Sequence, residues 1–124
     1  MIQRNEIPTF RPTWATVDLD ALRYNFGLLR RSLPSGTEIM VMIKADAYGH
    51  GALPVAKVLE NDGARAFGVA TVEEGRALLA AGVQAPILVM GVLSDEDCAL
   101  CVRLGLCAAV SMQSQLDAMQ RAAF

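Results

Sequence analysis

Apolar residues along this chain fall into two kinds of segment that alternate. Short runs apolar at nearly every position read as strands covered on both faces, and longer stretches with apolar residues every three or four positions read as amphipathic helices. Residues 14–18 (WATVD) alternate in the manner of a strand. Asp18 can then cap a helix whose stripe is Leu19, Leu22, Phe26, Leu29 and Leu33, stopped by Pro34, Ser35 and Gly36. Residues 39–43 (IMVMI) predict a strand apolar throughout, and residues 53–61 a short helix. Pro54 is tolerated in that helix's first turn, and Asn61-Asp62-Gly63 closes it.

The unit then recurs. A strand over 66–70 (AFGVA) leads into a helix opened by Thr71 with Glu74 three residues on, a capping box, and ended by Gly82. A strand over 86–90 (PILVM) leads to a helix capped by Ser94 and running to Gly105. Its first turn holds Asp95, Glu96 and Asp97, which suit the positive end of the helix dipole. A strand over 107–110 (CAAV) precedes a last helix opened by Ser111 and carrying Leu116 and Met119. Buried strands alternating with amphipathic helices make parallel βαβ units, so the fold class is α/β. An open sheet and half of a (β/α)8 barrel fit this periodicity equally well.

Composition narrows the function classes. The chain has 124 residues, 53% of them hydrophobic and 19% charged, which suits one globular domain. A net charge of -2 offers no basic field, which argues against a nucleic-acid partner. No apolar run approaches a membrane span, and residues 1–10 carry no apolar stretch of signal-peptide type, so the expected location is cytoplasmic. Cys98 and Cys101 form a C-x-x-C pair, but zinc wants four ligands and His50 is the one histidine. The pair falls within a helix, away from its first turn, and reads as buried structural thiols; no metal is expected.

The chemistry concentrates after the strand over 39–43, in Lys44-Ala45-Asp46-Ala47-Tyr48-Gly49-His50-Gly51. A lysine there stands at the carboxyl end of a parallel strand, the side on which such folds place active sites. A free lysine titrates at about 10.4, so making its amine neutral at pH 7 costs about 4–5 kcal/mol, and apolar burial lowers that cost. A neutral amine condenses with an aldehyde cofactor to an imine, and once displaced by an amino-acid substrate it is left as a base beside the α-carbon. Taken singly, the three side chains have ordinary readings: a solvated strand-end lysine, a part-buried tyrosine ring, and a loop histidine that is either at the surface or hydrogen-bonded. The octapeptide as a unit favours the chemical reading of Lys44.

That octapeptide resembles the cofactor-attachment signature of alanine racemases. Thr13 to Leu22 with Asn25, then Thr71-Val72-Glu73-Glu74-Gly75, and Ala85 to Gly91 are similar to further landmarks of the family, at compatible spacing. The resemblance covers about residues 12–124, with residues 1–11 as a tail. It implies a fold-type III pyridoxal 5'-phosphate enzyme that interconverts L- and D-alanine, supplies D-alanine for peptidoglycan and acts as a homodimer. The expected fold is the N-terminal half of a TIM-type (β/α)8 barrel, the second half and a β-rich domain being absent. Lys44 falls on the attachment and catalytic lysine, Tyr48 on the tyrosine that bonds the cofactor phosphate, and Met90 on the residue packed against the cofactor ring, where leucine is usual. His50 falls to a structural role in the loop.

The family's second base is a tyrosine of the partner's C-terminal domain, and this chain has only Tyr24 and Tyr48. An incomplete and inactive fragment is therefore expected, and WATVD would pair within the absent domain. Alternatives are a racemase of serine or other amino acids, a non-catalytic pyridoxal-phosphate homeostasis protein, and an inert remnant.

Overall fold

The computed structural model describes residues 13–124; the tail expected over residues 1–11 lies outside them. The segment at 14–18, expected as a strand, forms none. It has no ladder partner among the described residues, and Trp14 is 78% exposed. Extended backbone with no neighbour gives its amides and carbonyls to water and has no ladder to hold it.

Helix α1 (Leu19–Ser32) opens at Asp18, whose Oδ1 accepts the amides of Asp20 and Ala21 at 3.0 and 2.9 Å. Caps of this kind stabilise by about 1 kcal/mol. The stripe it buries is narrower than its periodicity predicts: Phe26 is buried, Leu19 and Leu22 half-buried, and Leu29 exposed. The helix rests on α3 (Ala52–Asn61), to which it is also pinned by charge. Arg23 donates to both carboxylate oxygens of Asp62, and Arg30 donates to the Asp62 carbonyl at 2.9 Å.

Four parallel strands, β1 (Met40–Met42), β2 (Ala66–Val69), β3 (Ile87–Val89) and β4 (Cys107–Ala108), lie side by side in chain order. Each falls inside its expected segment, trimmed to the residues that ladder. The register sets Val41 against Phe67 and Phe67 against Ile87. This order resolves what periodicity left open. A doubly wound sheet reverses direction at a switch point, whereas crossovers of one hand that always step the same way put every helix on one face and curl the sheet towards a barrel.

That helix-covered face is the core. Phe67, Val69, Ile87 and Val89 are each at most 1% exposed and cluster with Leu59 of α3, Val72 and Leu78 of α4 (Val72–Ala80), and Cys98 and Cys101 of α5 (Asp95–Leu104). The opposite face corrects the expectation of strands covered on both sides. It is shielded only in part: Gly68 is buried beneath Met42, Met42, Ala66 and Leu88 are half-buried, and Met40 is 44% exposed. Helices on one side cannot shield the other.

The capping box of Thr71 and Glu74 forms as expected, and the cap expected at Ser94 is a box as well. Ser94 and Asp97 exchange bonds at the start of α5, and Gly105, with φ of 69°, ends that helix in a left-handed turn that a side chain would strain. The last helix, α6 (Gln113–Ala123), differs from its sequence reading by a shift of face. Ser111 lies outside it and Leu116 is exposed, while Met119 packs half-buried on the core as expected and Gln115 and Ala118 are buried. Gln115 sustains burial because its Oε1 accepts the Ser111 and Met112 amides at 2.9 and 3.1 Å and its Nε2 donates to the Leu93 carbonyl at 2.8 Å.

Candidate active site

The Ile43 amide extends the β1 ladder to the Gly68 carbonyl at 2.9 Å, and Lys44 stands one residue further on. There the chain makes an element that the apolar pattern does not announce. Residues Lys44–Gly49 form a helical turn, α2, in which Ala45, Asp46, Ala47 and Tyr48 have φ between 50 and 55°. The winding is left-handed. Each such residue costs about 1–2 kcal/mol, so the turn as a whole costs about 4–8 kcal/mol and must be held by its surroundings.

Backbone bonds and three side-chain groups hold it. The Ala47 amide donates to the Ile43 carbonyl and the Gly51 amide to the Asp46 carbonyl, both at 2.9 Å. Asp46 Oδ1 accepts the Ala52 amide at 2.7 Å, which joins the turn to the start of α3. His50 places Nδ1 2.9 Å from the Ala47 carbonyl, so its ring works within the loop, the structural role that the family resemblance left to it.

Glu74 is the third group and the one that sequence reasoning undervalued. Its Oε2 accepts the amides of Ala70 and Thr71 at 2.7 and 3.3 Å, completing the capping box of α4. Its Oε1 accepts the amide of Ala45 at 2.8 Å, across 29 residues of chain. The capping-box spacing marks Glu74, but nothing local signals its second arm.

At the end of β3 the Met90 amide donates to the Val69 carbonyl at 2.9 Å, and the Gly91 amide to the Ala70 carbonyl at 3.1 Å. Lys44, Ala70 and Met90 are therefore level when the ladder register is continued, Lys44 two residues past β1 and the other two one residue past their strands. On the face away from the helices the Met42 thioether lies across Gly68, in the space that a Cβ there would fill, and Met90 Cε is 3.7 Å from that point. Two methionines and a glycine thus make an apolar floor beside the rim.

Lys44 is half-buried above Ile43, which is 1% exposed. The ion pairs among the described residues join Arg23 to Asp20 and Asp62, Arg65 to Glu38 and Arg121 to Asp95, and none takes Lys44. Tyr48 closes the left-handed turn and is 60% exposed. The fold brings Lys44 and Met90 to one rim, with Tyr48 on the loop that carries the lysine.

The cysteines fall as the sequence reading expects. Cys98 and Cys101 are fully buried, and desolvation, the largest cause, pushes both thiols up from their ordinary range. Cys107 is exposed. A thiol-specific disulfide reagent on the native chain is expected to titrate one thiol quickly, with the other two reacting only after denaturation. Three fast thiols would contradict this packing. Among the described residues no group of three or more acidic, histidine or cysteine side chains could hold a metal ion, and no helix is long and apolar enough to cross a membrane.

Comparison with known proteins gives a consistent picture. The family model described as alanine racemase, N-terminal domain, matches residues 17–124. An alanine racemase of Geobacter sulfurreducens is 42% identical over 113 residues, covering 91% of this chain and 30% of that protein. The solved alanine racemase of Clostridium difficile 630 superposes with a TM-score of 0.86 at 35% identity, covering 92% of this chain and 30% of that one. An alanine racemase from Bacillus anthracis, solved with bound L-Ala-P, superposes with a TM-score of 0.84 at 34% identity over 94% of this chain. The chain spans about 30% of the length of these relatives.

Proposed function

We propose, from the premise that this chain belongs to the alanine racemase family through its N-terminal domain, that it supplies the cofactor-anchoring rim of a pyridoxal 5'-phosphate-dependent racemase. Lys44 is the anchoring and catalytic residue, Tyr48 the phosphate ligand, and Met90 the residue against the cofactor ring. Residues 12–124 serve as the N-terminal part of the barrel domain. The substrate is alanine, a choice supported by the relative that holds L-Ala-P, and the assembly is a cytoplasmic homodimer supplying D-alanine to the cell wall.

One observation carries this reading. A half-buried lysine with no ion pair among the described residues stands at the carboxyl rim of a parallel sheet, on a backbone turn kept in a costly left-handed winding. The donor set suits the group: a primary amine for its aldehyde, an exposed phenol that can donate to a phosphate, and a thioether floor that accepts an aromatic ring edge. When bound, pyridoxal phosphate supplies the aldehyde and a conjugated ring that delocalises the electron pair left at the α-carbon. Lys44 would hold the group through Nζ, and the same amine, when free, would act as the base that exchanges the α-proton on its own face. Tyr48 fixes the phosphate end, so the lysine and the α-carbon keep their separation.

The test uses the fact that Lys44 and Lys57 are the only lysines in the chain. Lys57 is exposed on α3 and serves as an internal reference. The chain is incubated with pyridoxal phosphate, the adduct is fixed with borohydride, and peptides are weighed. Modification concentrated on Lys44 is expected. Equal modification of the two lysines, or a preference for Lys57, would remove the anchoring role.

A further inference from the structure

We propose that Glu74 is a positioning residue for Lys44, clamping the lysine's peptide unit to the end of the neighbouring strand. This rests on Lys44 being the anchoring amine. Capping of α4 needs one carboxylate oxygen, and Oε2 meets that need with the amides of Ala70 and Thr71. Oε1 is surplus to the helix, and it takes the Ala45 amide at 2.8 Å. That amide and the Lys44 carbonyl belong to one planar peptide unit, so a bond to the first fixes the second. The clamp thereby sets ψ of Lys44 together with φ of Ala45, the first of the four left-handed residues. Its other arm holds Ala70, which is level with Lys44 in the next strand. One carboxylate ties the lysine to the sheet against which its amine must be aimed.

The structure contains its own control for helix capping. In α5 the same position of the box is an aspartate, Asp97, whose Oδ2 accepts the Ser94 amide at 3.0 Å. An aspartate therefore completes such a box. Glu74→Asp keeps the charge and the cap but lacks the methylene needed to reach Ala45. Glu74→Gln keeps the length but has one acceptor oxygen, so it loses one of the two arms.

The experiment measures, on the whole chain, the ratio of borohydride-fixed pyridoxal phosphate on Lys44 to that on Lys57, together with hydrogen exchange at the Ala45 amide. In Glu74→Asp the ratio is expected to fall at least fivefold and Ala45 exchange to quicken at least tenfold, with exchange protection within α4 retained. Glu74→Gln is expected to lower the ratio likewise, and it decides the matter should the aspartate variant not fold. An unchanged ratio in a folded variant overturns the proposal, as does a ratio that falls in Glu74→Asp only together with α4 protection. A parent chain with no preference for Lys44 defeats the anchoring reading instead. The clamp is then judged by Ala45 exchange alone: faster exchange in Glu74→Asp supports it, and unchanged exchange overturns it.

Discussion

Lys44→Arg is expected to leave the chain folded while reducing cofactor incorporation at least tenfold, to the level that Lys57 alone supports. Arginine keeps the positive charge and a stem of similar length, so the packing above Ile43 and the local field change little. Lys44 makes no ion pair among the described residues and is half-buried, so the cost in stability is expected within about 0.5 kcal/mol. What arginine lacks is a neutral form: its guanidinium stays protonated at any ordinary pH and cannot condense with an aldehyde. Lys44→Ala is expected to lose incorporation equally without the charge, which separates chemistry from electrostatic attraction of the phosphate. Absorbance of the bound cofactor and peptide masses read the outcome. Incorporation in Lys44→Arg equal to that of the parent would show that the rim lysine is a bystander.

Phe67→Ala is expected to destabilise the chain by about 3–5 kcal/mol, the range for truncating a buried aromatic side chain. Domains of this kind have about 5–15 kcal/mol in total, so the loss removes a third or more of it. Phe67 is 0% exposed, sits on β2 between Val41 and Ile87, and lies on the core face below the rim. Both flanking strands would lose contact with it, and these are the strands that carry Lys44 and Met90. Phe67→Leu keeps most of the volume and is expected to cost less than about 1.5 kcal/mol. Urea unfolding reads both, with the slope expected to stay constant and the midpoint to fall. A shift below about 1 kcal/mol in Phe67→Ala would mean that the sheet's centre is not packed as described.

Much of the fold is legible because the signals that specify it are short. Asp18, Thr71 with Glu74, and Ser94 each cap a helix through amides within three positions, so local sequence suffices to find them. The strands are legible as apolar runs, and Lys44 as the first charge after one of them. Where the reading departs from the structure, a distant partner decides. WATVD has the alternation of a strand and no ladder partner among the described residues. Leu116 looks like core, but the buried residue of that turn is Gln115, a polar side chain whose amide is matched by three backbone groups. The left-handed turn after Lys44 has no glycine at its four positive-φ residues, so propensity gives no hint of it.

By itself the sequence determined the four sheet strands and the helices between them, the helix caps at Asp18, Thr71 and Ser94, the burial of Cys98 and Cys101, and the rank of Lys44 as the residue to test. Each follows from residues a few positions apart, which meet whatever the rest of the chain does. Only the tertiary structure decided that the strands run in one order, that Met42 and Met90 come together over Gly68, and that Ala45 answers to Glu74. Those contacts join residues far apart along the chain, and the free energy that selects them exists only once the sheet has brought them together.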